Sequence, residues 1–301
     1  MKTKSLSAGL CALMLFLVGC ASTDDAADTP SDKSAVGSGS VAKRIVSLSP
    51  TATETLYEIG AGDQVVAVDS LSDFPENAPR RDFSGFTPNP EAVIAEDPDL
   101  VIASVDANGL GAALDAVDIE LLLLPAATTF EQAYDQIEQV GESTGHTDNA
   151  QKLVGRMKKE IEATVDSVDP EIRNAQLSYY HEADPTLYSA GDTTFIGQAY
   201  SMFGLKSVAG PGDDYPQLTN EAIIQANPDF IFLADHGDAG GVTEEDVASR
   251  PGWNEIAAVK NKQIIPLDPN LASRWGPRLP QLIQDIAETL KAYQQVPVPA
   301  Q

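Results

Sequence analysis

Cysteine is almost missing from this chain: Cys11 and Cys20 are the only two in 301 residues, and both stand within the first twenty. No disulfide framework can staple the body of the protein, so its stability must come from an apolar core, which a chain of this length can build. Histidine is nearly as scarce. His146, His181 and His236 are scattered, and no two have the short spacing of a metal-binding motif. Basic residues are outnumbered 45 to 19 by acidic ones, giving a formal charge of −26. That balance argues against nucleic acid as a partner and for a solvated acidic surface. Also missing are a phosphate-binding glycine loop, a His-Glu-x-x-His pair and a reactive thiol in the body of the chain, so the common catalytic motifs give no support to an enzyme.

The first apolar run, residues 6–18, is too short to cross a bilayer as a permanent helix. Lys2 and Lys4 precede it and Leu17-Val18-Gly19-Cys20 closes it, the order of charge, hydrophobe and small residue found in export signals. Cys20 stands where a lipobox places the cysteine that is acylated and becomes the mature N-terminus. The expectation is a lipoprotein signal peptide over 1–20, with the lipid on Cys20 holding the mature protein outside the cytoplasm on the cell membrane. An ordinary cleaved signal with an incidental cysteine is the alternative. Residues 21–42, rich in Ser, Thr, Asp, Gly and Ala, bury too little apolar surface to offset the entropy of ordering and read as a flexible tether.

From Lys43 onward short apolar runs alternate with helical patterns, as in an α/β domain with mostly parallel sheets. Strands are expected over 44–48, 65–69, 100–103, 119–124, 176–181, 186–188, 230–234 and 263–267. One segment recurs. Glu91-Ala92-Val93-Ile94, three residues, then Pro98-Asp99-Leu100-Val101-Ile102 returns as Glu221-Ala222-Ile223-Ile224, three residues, then Pro228-Asp229-Phe230-Ile231-Phe232. Each copy reads as a short helix stopped by proline, a turn and a buried strand. Two such units imply two lobes of related construction. Between them Leu153, Met157, Ile161, Val165 and Val168 recur at three- and four-residue spacing, one apolar face of a helix about 30 Å long. The fold expected is α/β, with an N-terminal lobe over 43–147, a bridging helix over 148–168 and a C-terminal lobe over 169–301.

Aromatic and polar residues gather near the expected loops: Phe83, Phe86, Tyr179, Tyr180, Tyr215 and the pair Arg274-Trp275. Large apolar walls with a few oriented polar groups suit a cleft for a bulky organic ligand. Tyr179 and Phe83 read as core, and Tyr179 and Tyr180 cannot share one face of a strand. Two other readings stay open. His181 and His236 each follow an expected strand, where α/β folds collect ligand contacts, so they could capture bare zinc or manganese. A surface-anchored hydrolase could use paired carboxylates such as Asp213 and Asp214.

The chain resembles the binding proteins for cobalamin and ferric siderophores that serve ABC importers. The resemblance covers Lys43 to Tyr293. It is carried by Arg44-Ile45-Val46-Ser47-Leu48-Ser49-Pro50 with Thr53-Glu54, Ser72-Asp73-Phe74-Pro75, Asn89-Pro90-Glu91, the two Pro-Asp-strand units, Tyr215-Pro216-Gln217, Gly252-Trp253 and Trp275-Gly276-Pro277-Arg278. It implies a class III solute-binding protein: two Rossmann-like lobes joined by one long backbone helix, no catalysis and no cofactor. A metal chelate (cobalamin, ferric siderophore or heme) would lie in the cleft. By the same resemblance Ser49, Pro50, Phe86, Tyr215, Arg274 and Trp275 would contact the ligand, and Tyr180, His181 or Tyr215 could ligate a heme iron. Glu91 and Glu221 would meet arginines of the permease in a permease–ATPase complex. The protein itself would be a monomer.

Overall fold

The computed structural model describes residues 41–212, 215–235 and 241–294. The expected leader with Cys20, all but the last two residues of the expected tether, Asp213, Asp214 and His236 lie outside the described residues. Ala42, assigned to the tether by composition, is 6% exposed, and its N–H donates to Ser143 O at 3.2 Å.

Among the described residues eight short strands make two four-stranded parallel sheets of one topology. In the N-terminal lobe β1 (Ile45–Leu48), β2 (Val65–Val68), β3 (Leu100–Ala103) and β4 (Glu120–Leu123) stand in the order β2-β1-β3-β4. In the C-terminal lobe β5 (Ser178–Glu182), β6 (Lys206–Ser207), β7 (Phe230–Leu233) and β8 (Ile264–Pro266) stand in the order β6-β5-β7-β8. Parallel neighbours need a crossover, and the helices supply it. The expected strand over 186–188 reduces to a single antiparallel bridge between Tyr188 and Gln217. The two-residue β6 is too short to leave a pattern in the sequence.

The recurring segment has a mechanical reason. In each copy a residue that tolerates the left-handed conformation, Asp97 (φ 53°) or Asn227 (φ 49°), turns the chain just before the proline. The aspartate after the proline then clasps the start of the lobe's first strand. Asp99 accepts from Lys43 N and Arg44 N at 2.9 to 3.0 Å, and Asp229 Oδ2 accepts from Ser178 N at 2.8 Å and Ser178 Oγ at 3.0 Å. The register follows: Ile45 pairs with Leu100 in one sheet as Tyr179 pairs with Phe230 in the other.

Strand alternation distributes the core between two faces. Ile45, Leu100 and Ile102 in one lobe, and Tyr179, Phe230 and Phe232 in the other, belong to a single apolar cluster that runs through the helices between the sheets. Their alternates feed a separate core in each lobe, Val46, Leu48, Val101 and Ala103 in the first and Tyr180, Ile231 and Leu233 in the second. Tyr179 and Tyr180 do point to opposite faces. Both faces are covered, so both residues are buried.

The bridging helix spans Thr147–Asp166, 20 residues. It packs against the helices Phe130–Thr144 and Leu279–Gln294. Gly141 permits the first contact: a Cβ there would stand 2.4 Å from that of Ala150. The chain also returns to the first lobe after β8. The helix Pro269–Ser273 and the residues up to Arg278 hydrogen-bond to Glu54, Leu71, Asp73 and Gln136.

Replacing Asp99 or Asp229 by Ala should cost about 1–2 kcal/mol each, since each change strips strand N–H groups of an acceptor. The cost would be read as a lowered urea midpoint with an unchanged slope.

Candidate functional site

In open parallel sheets ligands bind outside the carboxyl ends of the strands where the strand order reverses, here between β1 and β3. A cavity of about 340 Å³ occupies that place in the N-terminal lobe. Ser49 and Pro50 after β1, Asp69 after β2, and Ser104 and Val105 after β3 line it, with Leu71 and Phe86 from the next loop. One wall is built by Asn270, Ser273, Arg274 and Trp275 from the returning segment. Five of the six residues expected at the ligand site therefore meet in one cavity. Tyr215 is not among its lining residues. It stands in the C-terminal lobe at 47% exposure, its hydroxyl held above its ordinary pKa by burial against the opposing hydrogen bond of Thr194.

The apolar part of the wall is open to a ligand. Phe86 is 69% exposed, and Leu71 and Val105 are exposed beside it, an arrangement that folding alone does not favour. Ser49 has another task, accepting from Ala52 N at 3.4 Å as the N-cap of the helix Pro50–Glu58. Trp275 donates its indole N–H to Gln136 Oε1 at 2.8 Å, which leaves its ring to offer.

Arg274 is a structural anchor as well as a wall. Its Nη1 reaches Glu54 Oε1 and Asp73 Oδ1, both at 2.8 Å, and its Nη2 donates to Leu71 O at 3.1 Å and Asn270 Oδ1 at 2.7 Å. Arg278 grips Glu54 from the other side, Nε to Oε2 at 2.8 Å and Nη2 to Oε1 at 2.6 Å, with its guanidinium 4.7 Å from the Phe74 ring centre. Glu54, at 3% exposure, is the centre of the cluster. The hydrogen bond to Glu54 raises the Arg278 pKa above its ordinary value. Burial alone would raise the Asp73 carboxyl, but the hydrogen bond and charge of Arg274 outweigh it and hold the group below its usual range.

Two of the residues named for a metal are enclosed. Tyr180 and His181 are sealed inside the C-terminal lobe, His181 at 3% exposure with its Nδ1 2.9 Å from Tyr200 OH. Burial drives the His181 pKa down to about 4. Among the described residues no group of three or more His, Cys, Asp or Glu side chains could hold a metal ion. A nucleophile-elbow spacing, Gly141-Glu142-Ser143-Thr144-Gly145, does occur, but it closes the helix Phe130–Thr144 and does not lie on the strand-to-helix turn that the chemistry requires. Asp69, Glu54 and Gly85 are the site residues that sequence reasoning missed. A Cβ on Gly85 would meet Leu48 O at 2.6 Å and Asp69 Oδ2 at 2.7 Å, so only glycine lets this loop lie against β1 and the carboxylate. Burial raises the Asp69 carboxyl above its ordinary pKa, with the charge of Arg274 working against the rise, and neither carboxylate oxygen has a hydrogen-bond partner among the described residues.

The comparisons agree with this geometry. A family model described as periplasmic binding protein matches residues 45–271. The chain is 33% identical over 257 residues to an uncharacterized ABC transporter substrate-binding lipoprotein, YvrC, of Bacillus subtilis, covering 82% of this chain and 80% of that relative. It is 29% identical over 246 residues to a cobalamin-binding protein of Halobacterium salinarum, covering 79% of this chain and 66% of that relative. Among solved structures, a possible iron-binding periplasmic solute-binding protein of Staphylococcus epidermidis superposes with a TM-score of 0.70 at 26% identity, covering 83% of this chain and 99% of that one.

Two measurements check the energetics. Glu54→Ala strands two inward-turned guanidiniums and should cost about 3–5 kcal/mol in denaturant unfolding. For His181 the folded pKa lies below the unfolded value, so the unfolded chain binds the extra proton and stability falls with pH from about 6.5 toward 4. His181→Asn should flatten that part of a plot of stability against pH.

Proposed function

The chain belongs to the periplasmic binding protein family, and on that footing we propose that it captures a bulky metal chelate in the cavity beside β1 and β3 and hands it to an ABC permease. The family binds solutes and performs no catalysis, and the protein is extracytoplasmic. The observation that carries the ligand reading is the cavity itself: exposed Phe86, Leu71 and Val105 facing a wall from the returning segment, at the place where parallel sheets receive ligands. The names of the relatives support a corrinoid or an iron chelate. In this reading Ser49, Pro50, Phe86 and Trp275 contact the ligand, Arg274 holds the wall in position, and Tyr215 faces the ligand from the second lobe.

Glu91 and Glu221 are the docking residues. Each lies in the first turn of equivalent helices, Pro90–Ile94 and Asn220–Ala226, capped by Asn89 and Thr219. Both are exposed, and neither carboxylate has a hydrogen-bond or ion-pair partner among the described residues. Free carboxylates repeated on two lobes suit a permease that presents arginines from two subunits, through charge-assisted hydrogen bonds. Their place in the first turn also suits the helix dipole, a smaller effect of a few tenths of a kcal/mol. Among the described residues no helix is long and apolar enough to cross a membrane. Acylation of Cys20 would supply the attachment, with the mature protein acting as a monomer.

The test has two parts. Thermal-shift titration with cyanocobalamin, hemin and a ferric hydroxamate should raise the melting temperature with at least one of them, because a ligand of the folded state stabilises it in proportion to RT ln(1 + [L]/Kd). The Glu91→Ala/Glu221→Ala protein should keep that affinity and lose uptake in cells. Uptake at the original rate would refute the docking role, and no shift with any chelate would refute the ligand class.

A further inference from the structure

Every charged side chain lining or bracing the cavity can be placed. Two line it, Asp69 and Arg274. Arg274 has five N–H donors, and four of them already face Glu54, Asp73, Leu71 O and Asn270 Oδ1. Its charge is met by Glu54, which it shares with Arg278, and by Asp73. Asp69 is different. It lies at 1% exposure directly after β2, makes no ion pair among the described residues, and neither of its carboxylate oxygens has a hydrogen-bond partner there. The nearest guanidinium is the one already committed to Glu54 and Asp73.

Counted as a group, Asp69, Glu54 and Asp73 set three carboxylates against the two guanidiniums of Arg274 and Arg278. The wall is left with one uncompensated negative charge, in a molecule whose net charge is already −26. A buried charge beside a partly enclosed cavity acts through a low effective dielectric, so its sign governs what can be held there. Anionic groups of a ligand would find no free guanidinium and an opposing carboxylate. Amide N–H, ammonium and hydroxyl groups would find favourable potential and the open acceptors of the wall.

Resting on the chelate-binding reading above, we infer that the cavity selects a metal chelate whose periphery carries hydrogen-bond donors over one whose periphery carries carboxylates, and that Asp69 is the residue that sets this preference. The role is one of specificity through charge, with the Gly85 backbone laid against the carboxylate between it and the loop that carries Phe86.

The decisive comparison needs no variant. Cyanocobalamin, which carries a rim of primary amides, and its mild-acid hydrolysis products, in which one to three of those amides have become carboxylates, present the same ring and metal. At pH 7 and fixed ionic strength the unaltered protein should bind the amide form at least about tenfold more tightly than the tricarboxylate, and more tightly than hemin, read by quenching of tryptophan fluorescence. Asp69→Asn, which keeps the shape and removes the charge, should shrink the amide-to-carboxylate ratio about tenfold, with far-ultraviolet circular dichroism showing that the variant folds. If the variant fails to fold, the comparison of the two ligand forms on the unaltered protein still decides. Equal or tighter binding of the carboxylate form, a preference for hemin, or a ratio unmoved in a folded Asp69→Asn protein would overturn the inference and leave the chelate-binding reading standing. Binding of none of the chelates would overturn both.

Discussion

A carboxylate with almost no exposure must have its charge met inside the protein, and Glu54 has it met by two arginines from the far end of the chain. Removing an ion from water is costly, and the cost is offset only when geometry and the remaining hydrogen bonds are good. Here Arg274 and Arg278 supply three charge-assisted bonds of 2.6 to 2.8 Å to its two oxygens. The segment that carries them is thereby held on the first lobe, and that segment is a wall of the cavity. Without this cluster the carboxyl ends of β1 and β3 would lack that wall.

The same interaction limits what the lobes can do relative to one another. The bridging helix is one tie, the return of residues 269–278 to Glu54 is a second, and Phe130 stacking on Phe195 at 4.9 Å is a third. The apolar cluster running through the helices between the two sheets makes these ties continuous. Closed-packed interiors of this kind respond to a ligand by small shifts, not by wide hinge motion. Glu91 and Glu221 stand in the first turns of equivalent helices on the two lobes so tied.

The lobes share one sheet topology but not one arrangement at the strand ends. The carboxyl ends of β1 and β3 open onto a cavity, while the corresponding end of β5 carries Glu182, buried and held by Arg250 through two bonds of 2.6 Å. In the second lobe that strand end carries an ion pair, with Arg250 lying 4.6 Å from the Trp253 ring centre. Asp235, after β7, has its carboxyl raised to about 6 by burial and by the charge of Glu182. One scaffold thus hosts a receiving face in one lobe and a braced face in the other.

Much of this was legible in the sequence because it depends on local rules. Proline stops, N-caps at Asn89 and Thr219, strand alternation and the repeated Pro-Asp units are all short-range signals, and they determined the α/β class, the two related units and an amphipathic helix expected over 148–168 and found over 147–166. Ser49, Pro50, Phe86, Arg274 and Trp275 could be singled out by type and by resemblance. What each one does could not. Arg274 reads as a ligand contact, and only its partners 220 and 203 residues away show that it also braces the wall it lines. His181 reads as a metal ligand until Tyr200 and the core close over it. Asp69 gives no signal at all, since a lone aspartate after a strand is common and its importance lies in the absence of a cation to pair with it. Charge compensation and burial are properties of what surrounds a residue in space, and long-range contacts decide both.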